Sequence, residues 1–204
     1  LTHHREIVKK IILHLCADLG TDSQPYEDAG YNVIRIGKDV GVENCIPPKN
    51  VYGIIANPVC TMLSWARTRD EKVKRDLREG LFLVKQCLRI IWMSQLDLPT
   101  PRSKKTSLKF WVLENPSRGF LPQFLGKPAA VYQPYEYGDD YKKETALWGN
   151  FIMPPKTPIV CTKPKFDQLR TKEIHYKGNE HLTRKERRSI CSPAFAKAFF
   201  KANQ

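Results

Sequence analysis

Cys60 and Glu114 are the side chains whose settings invite chemistry. Val51, Ile54 and Ile55 form an apolar run that stops at Asn57-Pro58, just before the cysteine, and the apolar run 107–113 leads straight into the carboxylate. In an open α/β sheet the carboxyl ends of strands are where ligands sit and where reactive side chains are presented. A thiol there is a nucleophile only as its thiolate, which is scarce at neutral pH for an ordinary pKa of about 8.5 unless a helix end or a cation lowers it. Arg67 and Lys142 are the candidate cations. Taken singly, both groups have plainer readings. A free cysteine is usually a small buried hydrophobe, and a carboxylate at a strand end is usually paired with a lysine.

Two further chemistries are open to these residue types. Cys161, His175, His181 and Cys191 offer metal-ligating groups, but their spacing matches no standard zinc finger and the six cysteines contain no Cys-x-x-Cys pair, so no metal is expected. The run 11–16 reads as a first buried strand that halts in the turn 17–23. Gly20 within it lets the backbone approach a ligand closely, with the free amides of a following helix beyond. Ser23 is the expected N-cap of that helix, which stops at Ala29-Gly30 before a second strand over 31–36. The unit is a βαβ opening without the fuller Gly-x-Gly-x-x-Gly of a dinucleotide enzyme, which disfavours NAD.

Four segments, in order, resemble the cytosine-5 DNA methyltransferases. The stretch Pro58-Val59-Cys60-Thr61-Met62-Leu63-Ser64 resembles that family's Pro-Cys loop, and Leu113-Glu114-Asn115-Pro116 its Glu-Asn element. The segment from Tyr141 to Asn150, YKKETALWGN, is similar to Tyr-Arg-Lys-x-Thr-x-Leu-Trp-Thr-Asn, and the segment from Arg188 to Ala198 is similar to the closing Asn-x-Val-x-Pro-x-x-Ala. The resemblance implies an α/β, Rossmann-like fold, a mixed sheet flanked by helices that binds S-adenosylmethionine. It implies Cys60 as nucleophile, Glu114 as the group that holds the ring, and Lys142 as the cation beside the reacting cytosine. The cofactor would lie against Asp18, Leu19, Gly20, Thr21, Asp39, Val40, Pro58, Ser189 and Ile190. DNA would be gripped by Ser64, Arg67, Lys143, Thr145, Lys163, Lys165, Arg184 and Arg187.

The departures are specific. His14, Asp18 and Thr21 stand where the family's first loop has an acid and two glycines, Val59 replaces a proline, Lys142 an arginine and Ser189 an asparagine. A lysine keeps the charge but loses the bidentate fork. Three rival readings follow: an amino-methyltransferase using Asn57-Pro58-Val59, an RNA cytosine methyltransferase, and a non-catalytic nucleic-acid-binding protein that has kept the fold.

The elements that must position these groups fit one domain of 204 residues. Residues 1–153 read as the catalytic core, 154–187 as a short basic insertion in the place of a target-recognition region, and 188–204 as a C-terminal helix returning to the core. A long helix over 69–92 carries an apolar stripe of Leu77, Leu81, Val84, Leu88 and Ile91, and a strand is expected over 129–135. The net charge of +13 suggests a polyanionic partner. No run approaches the length of a membrane helix and residues 1–10 are too polar for a signal peptide, so a cytoplasmic monomer is expected. So short an insertion implies short or relaxed sequence specificity.

Overall fold

The computed structural model describes residues 9–17, 19–65, 74–96, 107–157, 164 and 181–204. Strands β1 (Ile11–Leu15), β2 (Asn32–Ile36), β3 (Val51–Ala56), β4 (Phe110–Pro116), β5 (Ala130–Tyr132) and β6 (Thr145–Asn150) form one mixed sheet in the order β2-β1-β3-β4-β6-β5. The first four run parallel, and β6 lies antiparallel between β4 and β5. The helices are α1 (Gln24–Asp28), α2 (Leu77–Leu96), α3 (Leu121–Leu125), α4 (Arg184–Ser189) and α5 (Pro193–Ala202).

Because strand side chains alternate between faces, the two-sided burial of the sheet splits the core in two. Leu13, Leu15, Ile54, Ala56 and Leu113 pack on one face under Val84, Cys87, Ile90 and Ile91 of α2. Ile12, Ile55, Val112 and Leu147 pack on the other against Tyr26 of α1 and Phe195 and Phe199 of α5. Period two puts His14 on the same face as Ile12, and Glu114 on the same face as Phe110 and Val112. α5 is seated by Ser192, whose hydroxyl accepts from Phe195 N at 3.1 Å, and by Asn203, which both donates to and accepts from the backbone of Ile152 at 2.8 Å.

Several boundaries differ from expectation for physical reasons. β4 begins at Phe110 and runs on through Glu114 to Pro116, because β6 pairs with it there: Glu114 faces Leu147, Asn115 faces Ala146 and Pro116 faces Thr145. β6 itself went unread; Ala146, Leu147 and Trp148 are buried on both faces, so they show no alternation. α2 starts at Leu77, where the Asp76 carboxylate accepts from Arg78 N (2.8 Å) and Glu79 N (3.2 Å) as a cap, and it extends to Leu96; residues 69–73 of the expected helix lie outside the described residues. Its buried stripe is Gly80, Val84, Cys87, Ile90 and Ile91, with Leu77, Leu81 and Leu88 only flanking it; Gly80 lets the helix close on Met62 and Leu63, where a Cβ would stand 2.8 Å from Met62 Cβ. The expected strand over 129–135 shrinks to β5 and gives way to a 3-10 turn at Pro134–Glu136.

α3 was not anticipated. Nor was α4, which opens on a Thr183–Glu186 capping box inside the expected insertion. Most of that insertion, with Cys161 and His175 of the weighed metal set, lies outside the described residues. Among the described residues no helix is long and apolar enough to cross a membrane, and no three metal-ligating side chains converge.

Candidate active site

β1 is followed in sequence by β2 on one side of it and then by β3 on the other, so the chain reverses direction across the sheet between β1 and β3. The crevice outside the carboxyl ends of these two strands is where an open α/β sheet accepts a ligand. The β1 end supplies the turn that contains Gly20, whose φ of +67° is a left-handed conformation that glycine adopts without strain. A Cβ there would also lie 2.4 Å from Arg35 Nε. The β3 end supplies Asn57, Pro58 and Cys60.

A chain of hydrogen bonds crosses the crevice floor. His14, buried in β1, contacts Ser23 Oγ through Nδ1 and Asn57 Oδ1 through Nε2, both at 2.8 Å. Asn57 Nδ2 donates to Glu114 Oε2 at 3.5 Å. On the far side Arg35 Nε donates to Ser23 Oγ at 3.2 Å and its guanidinium pairs with Glu27 at 2.8 Å. The expected capping role of Ser23 is therefore corrected: the residue stands at the N-cap of α1, but its hydroxyl turns inward to His14 and to Gly20 O (3.1 Å). Burial pushes the His14 pKa down, which favours the neutral ring. With Nε2–H donated to Asn57, the Ser23 proton is needed at Nδ1; a second proton on His14 would release it to the Gly20 carbonyl.

Glu114 is half-buried as a residue, yet its carboxyl sits in surroundings dry enough to raise its pKa. Burial is the main cause, the Asp22 charge adds to it, and Lys143 and the Asn57 amide oppose it. Beside it a cavity of about 20 Å³, room for one water, is bounded by Asp22, Glu114, Tyr132 and Cys191 together with apolar side chains of α5. Burial likewise drives the Cys191 thiol well up.

Cys60 is half-buried on a loop that closes as a single turn, its carbonyl accepting from Leu63 N (2.9 Å) and Ser64 N (2.8 Å). That loop is stitched to the segment following Glu114. Asn115 Nδ2 donates to Pro58 O at 2.9 Å, Phe120 N to Leu63 O at 2.9 Å, Trp65 N to Arg118 O at 3.1 Å, and Ser64 bridges Gly119. Arg75 clasps the loop from outside, donating to Met62 O (2.6 Å) and Ser64 O (3.1 Å).

The expected residues separate into three groups. Cys60, Pro58 and Glu114 are joined through these bonds. Lys143 reaches across to Ile190 O (3.1 Å), and Thr21 Oγ1 accepts from Cys191 N (3.2 Å), so the C-terminal segment does return to the first loop. Gly20 is buried and Leu19 half-buried in that loop, and Asp39 and Val40 are exposed beyond β2.

Other expectations are corrected. Of the two lysines it is Lys143 whose charge acts on Glu114, while Lys142 is turned to solvent. Ser64 and Thr145, expected to meet DNA, are buried, Ser64 with its backbone in the Gly119 bridge and Thr145 in β6 with its hydroxyl on Lys143 O (2.9 Å). Ser189 is exposed and its hydroxyl turns back to Glu186 O (2.6 Å). Arg187 donates to Leu182 O. Asp18, Arg67, Lys163 and Lys165 lie outside the described residues; Arg184 opens α4. His14 and Arg75 were missed as site residues; Asn57 and Asn115 stood in quoted motifs, but their hydrogen bonds to His14, Glu114 and Pro58 were not foreseen.

No protein-family model matches the chain, and no curated protein matches it.

Proposed function

We propose that this chain is an S-adenosylmethionine-dependent methyltransferase that modifies carbon 5 of cytosine in DNA through a covalent Cys60 adduct. The observation that carries the reading is the stitching of the Cys60 loop to the Glu114 strand end by the Asn115 amide on Pro58 O (2.9 Å), beside the reversal point of the sheet. Residues that the resemblance names as nucleophile and ring holder, 54 positions apart by number, belong to one hydrogen-bonded unit.

The chemistry suits these groups. The Cys60 thiolate adds to carbon 6 of the ring, and Glu114, kept protonated more readily by its dry setting, donates to ring nitrogen 3 while its other oxygen accepts from the exocyclic amine. Carbon 5 thereby becomes nucleophilic and takes the methyl group. Its hydrogen then leaves as a proton and the sulfur is expelled. S-adenosylmethionine, when bound, supplies the methyl group as an electrophile. In this reading the cofactor lies outside the first loop, with the exposed Asp39 and Val40 beyond β2 in the place of the element that contacts the adenine; Gly20 itself is buried against Arg35. The target base must leave the helical stack first, at a cost of a few kcal/mol that is least in a single strand.

The test uses DNA in which cytosine is replaced by its 5-fluoro analogue, with labelled S-adenosylmethionine. A denaturation-resistant protein–DNA adduct that disappears in Cys60→Ala is the expected result. Methyl transfer that survives Cys60→Ser would move the target to an amino group.

A further inference from the structure

The Cys60 loop ends in Trp65, which is 59% exposed although its backbone is fixed to Arg118 O. Its ring meets Phe120 edge to face, with centroids 6.4 Å apart, and Arg75 lies over Phe120 at 5.0 Å. A large aromatic surface held open from behind in this way differs from a side chain that merely failed to find a core. Its surroundings are cationic. Arg75 donates to the Ser64 carbonyl next to Trp65, and Arg118 has 80% of its side chain exposed, pairing at 3.8 Å with the half-exposed Glu144. The chain as a whole carries +13. A flat aromatic face flanked by guanidinium groups fits an unpaired base with its neighbouring phosphates, since stacking is open to every base and the cations follow the backbone. A duplex exposes a base face only beside a base that has left the stack, whereas a single strand offers one throughout.

We propose that Trp65, backed by Phe120 and flanked by Arg75 and Arg118, is a stacking platform for a nucleotide next to the target, which makes single-stranded DNA the preferred substrate form. This inference rests on the methyltransferase reading for its target, but the contact itself is a binding property and is measured apart from methyl transfer.

The experiment titrates the full chain, without S-adenosylmethionine, with a short single-stranded DNA, the matching duplex and the matching single-stranded RNA, following tryptophan fluorescence and an independent anisotropy signal. Single-stranded DNA should quench the emission saturably and bind more tightly than the duplex or the RNA. Trp65→Ala should weaken that binding about 10-fold, while Trp65→Phe keeps most of it. Equal melting temperatures for the two variants and the parent would separate a lost contact from a lost fold. If the duplex binds as well as the single strand, or if Trp65→Ala binds unchanged, the platform is overturned; tighter binding of RNA overturns the assignment to DNA. Should the covalent adduct with Cys60 fail to form while Trp65 still governs binding, only the catalytic reading falls.

Discussion

His14 and Glu114, joined through Asn57, carry opposite proton preferences along one line of hydrogen bonds. The Glu114 pKa lies above its ordinary value of about 4.5, so the native state holds its proton more tightly than the unfolded chain does. Its contribution to stability is complete below that pH and is lost as pH rises through the folded pKa. His14 works the other way: its pKa lies below about 6.5, so its contribution is complete above that pH and fades as pH falls through the folded pKa. The groups that face Glu114 are Asp22 from the turn after β1, Asn57 from the end of β3 and Lys143 from the approach to β6. Glu114→Gln should therefore melt higher than the parent at pH 7 to 8, by a margin that closes towards pH 4, while adduct formation is lost. Melting curves across that range check the sign, and a margin that widens on acidification would refute it. Asn57→Ala leaves a ring nitrogen and a carboxylate without a partner, and about 1–3 kcal/mol of stability should go with it in a denaturant titration. The apolar runs that lead to Cys60 and Glu114 were legible, although β4 continues past Glu114 to Pro116. The partners of Asn57 and Asn115 were not, since an amide that stands in a motif shows what it bonds only once two distant loops lie side by side.

The helix and the loops that frame Cys60 contribute separately, and two substitutions distinguish them. Gly119 lies so close to the Cys60 loop that a Cβ there would stand 2.6 Å from Leu63 O, which is backbone and cannot swing aside. Gly119→Ala should cost about 1–3 kcal/mol and displace the loop, so the rate of adduct formation falls together with the melting temperature. Asp76→Ala removes only the cap of α2 and should cost about 1 kcal/mol with the rate per folded molecule retained. Equal loss of rate in both variants would mean that global stability, rather than loop placement, sets the chemistry. The same contrast explains what could be read of the elements. β1, β2 and β3 announce themselves as short apolar runs closed by turn residues. The start of α2 was displaced because its apolar period extends past the true cap, and β6 was hidden because a strand buried on both faces has no alternating pattern.

For the molecule as a whole, 34 basic residues against 21 acidic ones leave a field that draws any polyanion, so affinity alone says little about specificity. Salt separates the two contributions. Each phosphate neutralised on a single strand adds about 0.7 to the slope of log affinity against log salt, whereas base stacking releases no counterions. Arg118→Gln should therefore weaken binding to all sequences alike and flatten that slope by about 0.7, while Trp65→Ala should lower affinity at every salt concentration and leave the slope unchanged. Titrations at several ionic strengths measure both slopes at once. A slope that moved with Trp65, or stayed fixed when Arg118 lost its charge, would show that the indole and the guanidinium do not act on base and phosphate as assigned. On the proposed division of labour, a chain whose cations position the strand and whose indole holds one neighbour would bind many sequences alike, leaving the choice of base to the groups around Cys60 and Glu114.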